Sequence, residues 1–452
     1  MVRRNTIAAI RYGYGMRPVD AAKADANFLL DGIGVVDSAE RKFPLAPLET
    51  RAALMAERRK TRAAARDGKL GSDAAKKRVD RKLREQTTAD IRAIFQRTLD
   101  SRTGLRERMT AFWADHFTVA AKGPLLSALV PDLIESAIRP HVAGNFGDML
   151  FAVSTHPAML IYLNQVQSVG PSSRAGKRRG RGLNENLARE ILELHTLGVG
   201  GAYTQADVRQ FAELLTGLSA NKSGFVFRRA IVEPGRETVL GKGYGGGKPA
   251  LNDIRQALHD IALHPDTARH LAAKLITHFV GGDPPDDWVE KMASAYLNAG
   301  GELPALYEAM LADDRAWEMP LRKVKLPFDF VVSALRAAGV VGGDLDALKP
   351  RDIRNDLMEP LAAMGQPLFR PGGPDGWPEA PEAWITPATL ASRLRWSGKI
   401  VDDLLKDSDP RDFLEAALGD AASDLLKFAV AGSESRAEGI ALVLVSPDFN
   451  RR

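Results

Sequence analysis

The sequence predicts an all-α fold, a single multi-helix body that carries one small β-hairpin. Apolar residues recur at intervals of three and four along most of the 452-residue chain, for example over residues 105–116. The clearest strand signal lies at about 225–240, where two short apolar runs flank Pro234-Gly235, a favoured turn pair. Because 45% of the residues are hydrophobic, the chain can bury a large core.

Composition narrows the chemistry that the chain can support. The sequence has no cysteine, so any metal must be held by histidine, aspartate, glutamate or asparagine. The net charge of +5 is too small for this length to indicate nucleic acid as a partner. No apolar run approaches the roughly 18 residues of a transmembrane helix, and the first residues lack the apolar stretch of a signal peptide. We therefore expect no membrane span and a cytoplasmic location.

Residues 49–98 predict a basic helical hairpin that protrudes from the body as a separate lobe. Residues 51–86 contain thirteen lysines and arginines against five acidic residues, and Gly68 and Gly71 divide the stretch into two helices. The basic face is expected to be solvated, and docking of an acidic surface is the alternative. Nucleic acid remains an unlikely partner because no aromatic residues are interleaved with the charges.

Residues 103–119 predict an amphipathic helix with a histidine on its buried stripe. Leu105, Met109, Phe112 and His116 follow helical spacing. Two interpretations of His116 stay open. It is either a core histidine bonded to a backbone carbonyl, or a ligand or base directed at the central helix.

That central helix is predicted within residues 183–201, the most polar helical pattern in the chain. Asn184 is expected to cap its N-terminus, and the helix should run to about Leu197 before Gly198 closes it. At about 100° per residue, its polar side chains share one arc. The arc comprises Glu185, Asn186, Arg189, Glu190 and Glu193.

The polar arc allows two interpretations. Glu185, Arg189 and Glu193 are spaced as i,i+4 ion pairs, which fits a solvated face worth about 0.2–0.5 kcal/mol per pair. Alternatively, the arc faces an internal cleft, because apolar residues cover most of the remaining helix surface. Carboxylates in such a cleft need a cation or a shared proton, which predicts a metal site or an acid/base site.

The cleft interpretation assigns residues to roles. The catalytic candidates are Glu190, Glu193 and His116. A divalent metal, if one is bound, would be held by Glu190, Glu193 and His195, although His195 lies on the apolar side of the same helix. The candidates for binding an anionic substrate are Asn184, Asn186, Arg189, Arg179 and Arg181.

Two glycine-containing segments flank the central helix. Residues 165–182 form a basic Gly/Ser-rich loop that is either an anion site at the helix N-terminus or a flexible surface loop. Residues 218–250 contain the predicted hairpin and the run GKGYGGGK. That run matches GxGxxG but lacks the βαβ context of dinucleotide binding, so we expect a flexible loop.

The run GLNENLAREILELHTLGVGGAYTQADV resembles the signature of the bacterial family called domain of unknown function 1800. Other stretches of the chain resemble that family in the same order. They are AAIRYGYGMRP, FWADHF, HPAMLIYLNQVQSVG, LAAKLITHFVGGDPP, KLPFDFVVSALRAAG, MGQPLFRPGGPDGW and SPDFNRR. The resemblance covers nearly the whole chain and implies one helical domain over residues 1–452, without an established reaction.

The resemblance also implies a partner and a location. Genes of the family commonly neighbour those of a sulfatase-like family, domain of unknown function 1501, which suggests a sulfatase-like protein partner. Members are often thought to be exported, which is the alternative to a cytoplasmic location.

We therefore carry two functional hypotheses forward. The first is a metal-assisted or acid/base enzyme, hydrolase-like, that acts on an anionic substrate at a polar cleft formed by the 184–195 helix. The second is a non-enzymatic binding or assembly protein that docks a partner protein, in which the polar arc is a structural ion-pair network.

Overall fold

The computed structural model describes residues 2–17, 25–34, 36–69, 71–179, 182–221 and 224–452, and it confirms the all-α prediction. The α-helices are α1 (Arg4–Ile7), α2 (Ala26–Gly34), α3 (Ser38–Lys42), α4 (Leu48–Arg66), α5 (Ser72–Asp100), α6 (Leu105–His116), α7 (Gly123–Leu133), α8 (Phe146–Thr155), α9 (Pro157–Tyr162), α10 (Arg174–Arg179), α11 (Asn186–Glu190), α12 (Gln205–Leu214), α13 (Leu251–Ala262), α14 (Pro265–Phe279), α15 (Asp286–Asn298), α16 (Leu303–Leu311), α17 (Pro327–Ala337), α18 (Pro350–Asp352), α19 (Glu359–Ala363), α20 (Pro387–Ile400), α21 (Pro410–Leu418), α22 (Asp424–Ala431), α23 (Arg436–Val445) and α24 (Pro447–Asn450).

The helices enclose two hydrophobic cores. The first core gathers apolar residues of α6, α8, α13, α14, α15 and α16, with Trp113 and Phe279 at 0% exposure. The second gathers residues of α17, α20, α21 and α23 together with α5, including Phe330 and Phe449. Because α6 and α14 belong to the first core and α17 to the second, any polar contact between these helices joins the two cores.

The described residues contain two antiparallel hairpins where the sequence predicted one. The first pairs β1 (Leu218–Asn221) with β2 (Gly224–Phe227), and the second pairs β3 (Arg236–Val239) with β4 (Lys242–Gly245).

The predicted turn was therefore wrong. Pro234-Gly235 lies between the two hairpins, and the second hairpin turns at Leu240 and Gly241. Both residues have positive φ angles of 49° and 75°, as two-residue hairpin turns require. The expectation of a flexible loop also fails for Lys242–Gly245, because these residues pair with β3.

The basic hairpin forms from α4 and α5 as predicted, but its base is buried rather than free of the body. Arg51 is only 1% exposed and forms two bonds to Asp90, of 2.6 and 2.8 Å. Further along α5, Ile91 and Phe95 belong to the second core. Within the described residues, no helix combines the length and the low polarity that crossing a membrane requires.

The central helix is shorter than predicted and changes form along its length. Its first turn begins at Asn186, whose backbone N–H donates to the Asn184 side chain at 2.9 Å. After Glu190 the chain continues as a π-helix over Ile191–His195 and ends there. The hydroxyl of Thr196 donates to the carbonyl of Ile191 at 2.6 Å, which closes the last turn two residues before the predicted end.

The described residues of the basic segment 165–182 contain more secondary structure than a loop. It contains a 3-10 turn, Gln165–Gln167, and the short helix α10. The Gln165 side chain donates to the Leu215 carbonyl at 2.9 Å, and the Gly170 N–H donates to the Ile231 carbonyl at 2.9 Å. These bonds anchor the segment beside the first hairpin.

We predict that Arg51→Met lowers the free energy of unfolding by about 3–5 kcal/mol, because it leaves the buried Asp90 carboxylate unpaired. The matched control is Arg59→Met, the same substitution at an exposed position of α4, which should change stability by less than about 0.5 kcal/mol. Urea unfolding followed by circular dichroism measures both. Equal midpoints for the two variants would contradict a structural role for the pair.

Candidate active site

Helix α6 presents two different faces, and the second was missed in the sequence. Phe112, Trp113 and His116 point into the first core. On another face, small side chains and Asp115 line a cavity of about 170 Å³. Asp115 is the polar residue at which this cavity meets a cluster of ionisable groups.

The Asp115 carboxylate is held by a close backbone approach. Its Oδ1 accepts a hydrogen bond of 2.9 Å from the backbone N–H of Trp377. The preceding residue, Gly376, has a φ of +87°, and a Cβ there would lie 2.8 Å from the carboxylate atoms. Burial raises the pKa of Asp115 to about 7, and the nearby charge of Glu379 adds to this effect while the Trp377 N–H opposes it.

Lys274 on α14 is the basic partner of this carboxylate. Burial lowers the pKa of Lys274, while Asp115, Glu379 and Asp375 lie close enough to act in the opposite direction. One lysine therefore lies near three carboxyl groups, and its positive charge lowers the pKa of Asp115 but does not outweigh the effect of burial.

Asp375 connects Lys274 to the predicted polar arc. Burial raises the pKa of Glu190, and the charges of Glu193 and Asp375 raise it further. Asp375 also contributes to the raised pKa of Asp115. Asp375 therefore lies close enough to both Glu190 and Asp115 to raise the pKa of each carboxyl group.

Glu379 clamps the segment that carries Trp377. Its carboxylate accepts a 2.8 Å bond from Nδ1 of His278 and pairs with the ammonium of Lys323, which also donates to the Glu379 carbonyl at 2.6 Å. Burial alone would raise the pKa of Glu379, but His278 and Lys323 outweigh it and hold this pKa well below its usual range.

Arg452 fixes the tautomer of His278. The guanidinium lies 3.2 Å from Nε2 of His278, and a guanidinium can only donate. Nε2 must therefore be an acceptor, so Nδ1 carries the proton that is donated to Glu379. Burial lowers the pKa of His278 to about 4, which agrees with a neutral ring at pH 7.

Three histidines pack together beside Lys274. Nε2 of His116 donates to the backbone carbonyl of His195 at 3.0 Å, and its ring centre lies 6.0 Å from that of His195 and 6.2 Å from that of His270. Burial lowers the pKa of His195 to about 3, that of His270 to about 4, and that of His116 well below its usual value. His116 is thus a neutral core histidine bonded to a backbone carbonyl.

Three residues of the polar arc form the ion pairs that the solvated interpretation describes. Arg189 pairs with Glu185 and with Glu193, both at 3.3 Å, and with the Gln205 side chain at 3.0 Å. The Arg189 side chain is 38% exposed, so these pairs contribute little to stability.

Of the other predicted substrate-binding residues, the structure describes only the two asparagines in full. Asn184 is occupied as a cap, and Asn186 is exposed on the first helical turn. Arg179 ends α10, but its side chain lies outside the described part of the chain, as does the whole of Arg181.

The predicted metal set is not brought together. Across the described ranges, no three histidine, aspartate and glutamate side chains have the arrangement to hold a metal ion. Glu190 and Glu193 are half-buried on the polar arc, whereas the ring of His195 packs against Phe117 at 5.0 Å in the core. The 3.6-residue period already separates them on opposite sides of one helix.

Sequence reasoning also missed the groups around Asp115. Lys274 comes from α14, and Asp375 and Glu379 come from the Pro/Gly-rich passage 364–384. In that passage Trp384 is buried and lies 5.9 Å from Trp377. The signal for the site was the polar Asp115 within FWADHF, because it lies off the apolar stripe next to small residues.

We predict that Gly376→Ala destabilises the protein by more than about 1 kcal/mol, since both the positive φ and the Asp115 carboxylate exclude a side chain there. Gly372→Ala, in the same passage, meets open space and should be tolerated. Thermal and urea unfolding measure both. Equal stability of the two variants would show that the passage does not press against Asp115.

A second prediction concerns pH. Because the pKa of Asp115 rises from its usual 3.8 to about 7 in the folded protein, the stability gained from its protonated form is complete below about pH 4 and is lost as pH rises through 7. Asp115→Asn should therefore become progressively more stable than the unmodified protein between pH 4 and 8. Parallel urea-unfolding profiles of the two proteins across this range would contradict the raised pKa.

Comparison with known proteins identifies the family alone. The family model described as protein of unknown function (DUF1800) matches residues 7–451. No curated protein and no solved structure matches the chain.

Proposed function

Since the chain belongs to the DUF1800 family, whose description states no activity, we propose its function from the site: a hydrolase-like acid/base enzyme in which Asp115 and Glu190 are the working carboxyl groups. The observation that carries the proposal is that ionisable side chains from distant parts of the sequence lie close together. Four segments far apart in sequence supply Asp115, Glu190, Asp375 and Lys274, and Asp375 lies close enough to the other three to shift their pKa values.

Asp115 suits the role of general acid. A carboxyl group that titrates near neutral pH has both of its protonation states available, which is the condition for efficient proton transfer. The Trp377 N–H holds one oxygen at 2.9 Å, so the other oxygen can present the proton to a substrate. In hydrolysis, this proton passes to the departing group as its bond to the substrate breaks.

Glu190 suits the role of general base. It is half-buried and lies near Asp375, and its ionised form can take a proton from the attacking water. The hydroxide oxygen forms the new bond, and the proton gained by Glu190 balances the one given up by Asp115. Lys274 stabilises negative charge that develops between them.

The charges around the cleft favour an uncharged substrate over the anionic one expected from the sequence. Asp375 and Glu379 lie near Asp115, and Glu190 lies near Asp375. Lys274 is the basic group that affects Asp115 directly. Arg189, the predicted anion contact, is already paired with two glutamates. An anionic substrate would therefore meet repulsion that these cations only partly offset.

A second function, assembly with a partner protein, is favoured by one surface feature. Leu425 and Phe428, three residues apart on α22, are 79% and 80% exposed. Large apolar side chains exposed side by side are typical of protein contacts. The sulfatase-like partner suggested by the family resemblance stays a prediction for this surface.

The enzyme proposal predicts that Asp115→Asn and Glu190→Gln each reduce turnover at least about 100-fold, the usual contribution of a general acid or base. Chromogenic esters, amides and glycosides without charge are screened with the unmodified protein, and any hydrolysed compound is then tested with the variants. Asp412→Asn, at an exposed position of α21, is the matched control and should retain full activity.

Circular dichroism and unfolding midpoints establish that the variants are folded. Hydrolysis that persists in both Asp115→Asn and Glu190→Gln contradicts the proposal. If the folded protein hydrolyses none of the compounds but binds a partner through Leu425 and Phe428, the assembly function takes its place.

A further inference from the structure

The cavity beside Asp115 is bounded by α6 on one side and by the elements of both cores on the other. Small residues of α6, spaced three and four apart, leave the space open. They are Thr110, Ala111 and Ala114. Apolar side chains close the opposite wall, among them Phe328 and Phe369.

Nearly every charge in the wall of this cavity is matched by another charge in the wall. Arg97 pairs with Glu135 at 2.7 Å, and Arg139 pairs with Glu107 at 2.6 Å. The third ion pair, between Arg108 and Asp329, measures 2.7 Å. These pairs satisfy one another, so the wall does not supply a net charge to attract or neutralise an ion.

Asp115 is the exception among these lining groups. Its carboxyl accepts one hydrogen bond from the Trp377 N–H, and it lines the cavity without a charged partner in the wall. A molecule in the cavity can therefore direct one hydrogen-bonding group at Asp115. Its remaining surface contacts mainly apolar atoms and paired charges.

The size of the space limits what can enter. The cavity measures about 170 Å³, and an apolar cavity of roughly 150 Å³ is known to accommodate benzene. A single ring or a short branched chain matches such a volume. While Asp115 is protonated, burying an ion there would also forfeit its hydration without a partner charge.

We propose that this cavity binds an uncharged ring or branched aliphatic group of about the size of benzene, whose one polar function points at Asp115. If the bound group is part of a substrate, the inference rests on the proposed function, because the apolar part of the substrate then lies next to the general acid. Binding of the group itself depends on the cavity alone.

The test uses benzyl alcohol as the probe, with benzoate and benzylamine as charged analogues of the same ring. Isothermal calorimetry on the whole protein at about pH 5, where Asp115 is protonated, should show saturable 1:1 binding of benzyl alcohol and at least about tenfold weaker binding of both analogues. Ala114→Phe should abolish binding, because the new ring occupies the cavity.

A second variant tests the cavity even if Ala114→Phe does not fold. Ala111 lines the cavity but is exposed at its rim, so Ala111→Phe should fold and still weaken benzyl alcohol binding at least about tenfold. Ala53→Phe, at an exposed position of α4, is the control and should bind as the unmodified protein does.

The outcomes separate the two proposals. No binding of benzyl alcohol, equal binding of the charged analogues, or binding unaffected by Ala111→Phe overturns the cavity inference and leaves the acid/base proposal to its own variants. Binding that these variants abolish supports the cavity, even if Asp115→Asn shows that no hydrolysis depends on Asp115.

Discussion

The carboxylate of Asp329 lies between two arginines that belong to different parts of the fold. Arg108 from α6 approaches to 2.7 Å and Arg452 to 3.2 Å, and all three side chains are almost completely buried. Taking charges out of water is costly, so each depends on the other two remaining in place. Since α6 packs in the first core and α17 in the second, this triad joins the two cores by a contact that tolerates little displacement.

The candidate site inherits its geometry from that triad. Arg452 pairs with Asp329 and also fixes the tautomer of His278, which donates to Glu379. Glu379 in turn holds the passage that brings the Trp377 N–H to Asp115. The position and proton affinity of the proposed general acid are therefore set by a chain of buried polar contacts, each of which is specific in direction. Burial of apolar side chains supplies most of the stability of the fold. The main effect of these buried charged groups is therefore to orient the side chains that they contact.

Local patterns in the sequence predicted what local forces decide. Helical periodicity identified the buried stripe of α6 with His116, and the spacing of Glu185, Arg189 and Glu193 anticipated their ion pairs. Such patterns could not identify the site of Asp115, because its hydrogen-bond partner is 262 residues away. They also misplaced the β-hairpin, since four-residue strands carry too little alternation to outweigh a favourable Pro-Gly turn. The three predicted metal ligands are not brought together, because helix periodicity separates His195 from Glu190 and Glu193.

The distance in sequence between Asp115 and Trp377 affects how the protein folds and how it loses activity on partial unfolding. Contacts between residues hundreds of positions apart form late in folding. A long loop must close first, and the loss of chain entropy on closure opposes this step. An intermediate with only the first core would have Asp115 in water, where a carboxylic acid titrates near pH 4. Detachment of the 371–379 passage would produce the same state in the mature protein. Proton-transfer competence is therefore a property of the completed tertiary structure, and it should vanish in partial unfolding before the helices of the first core melt.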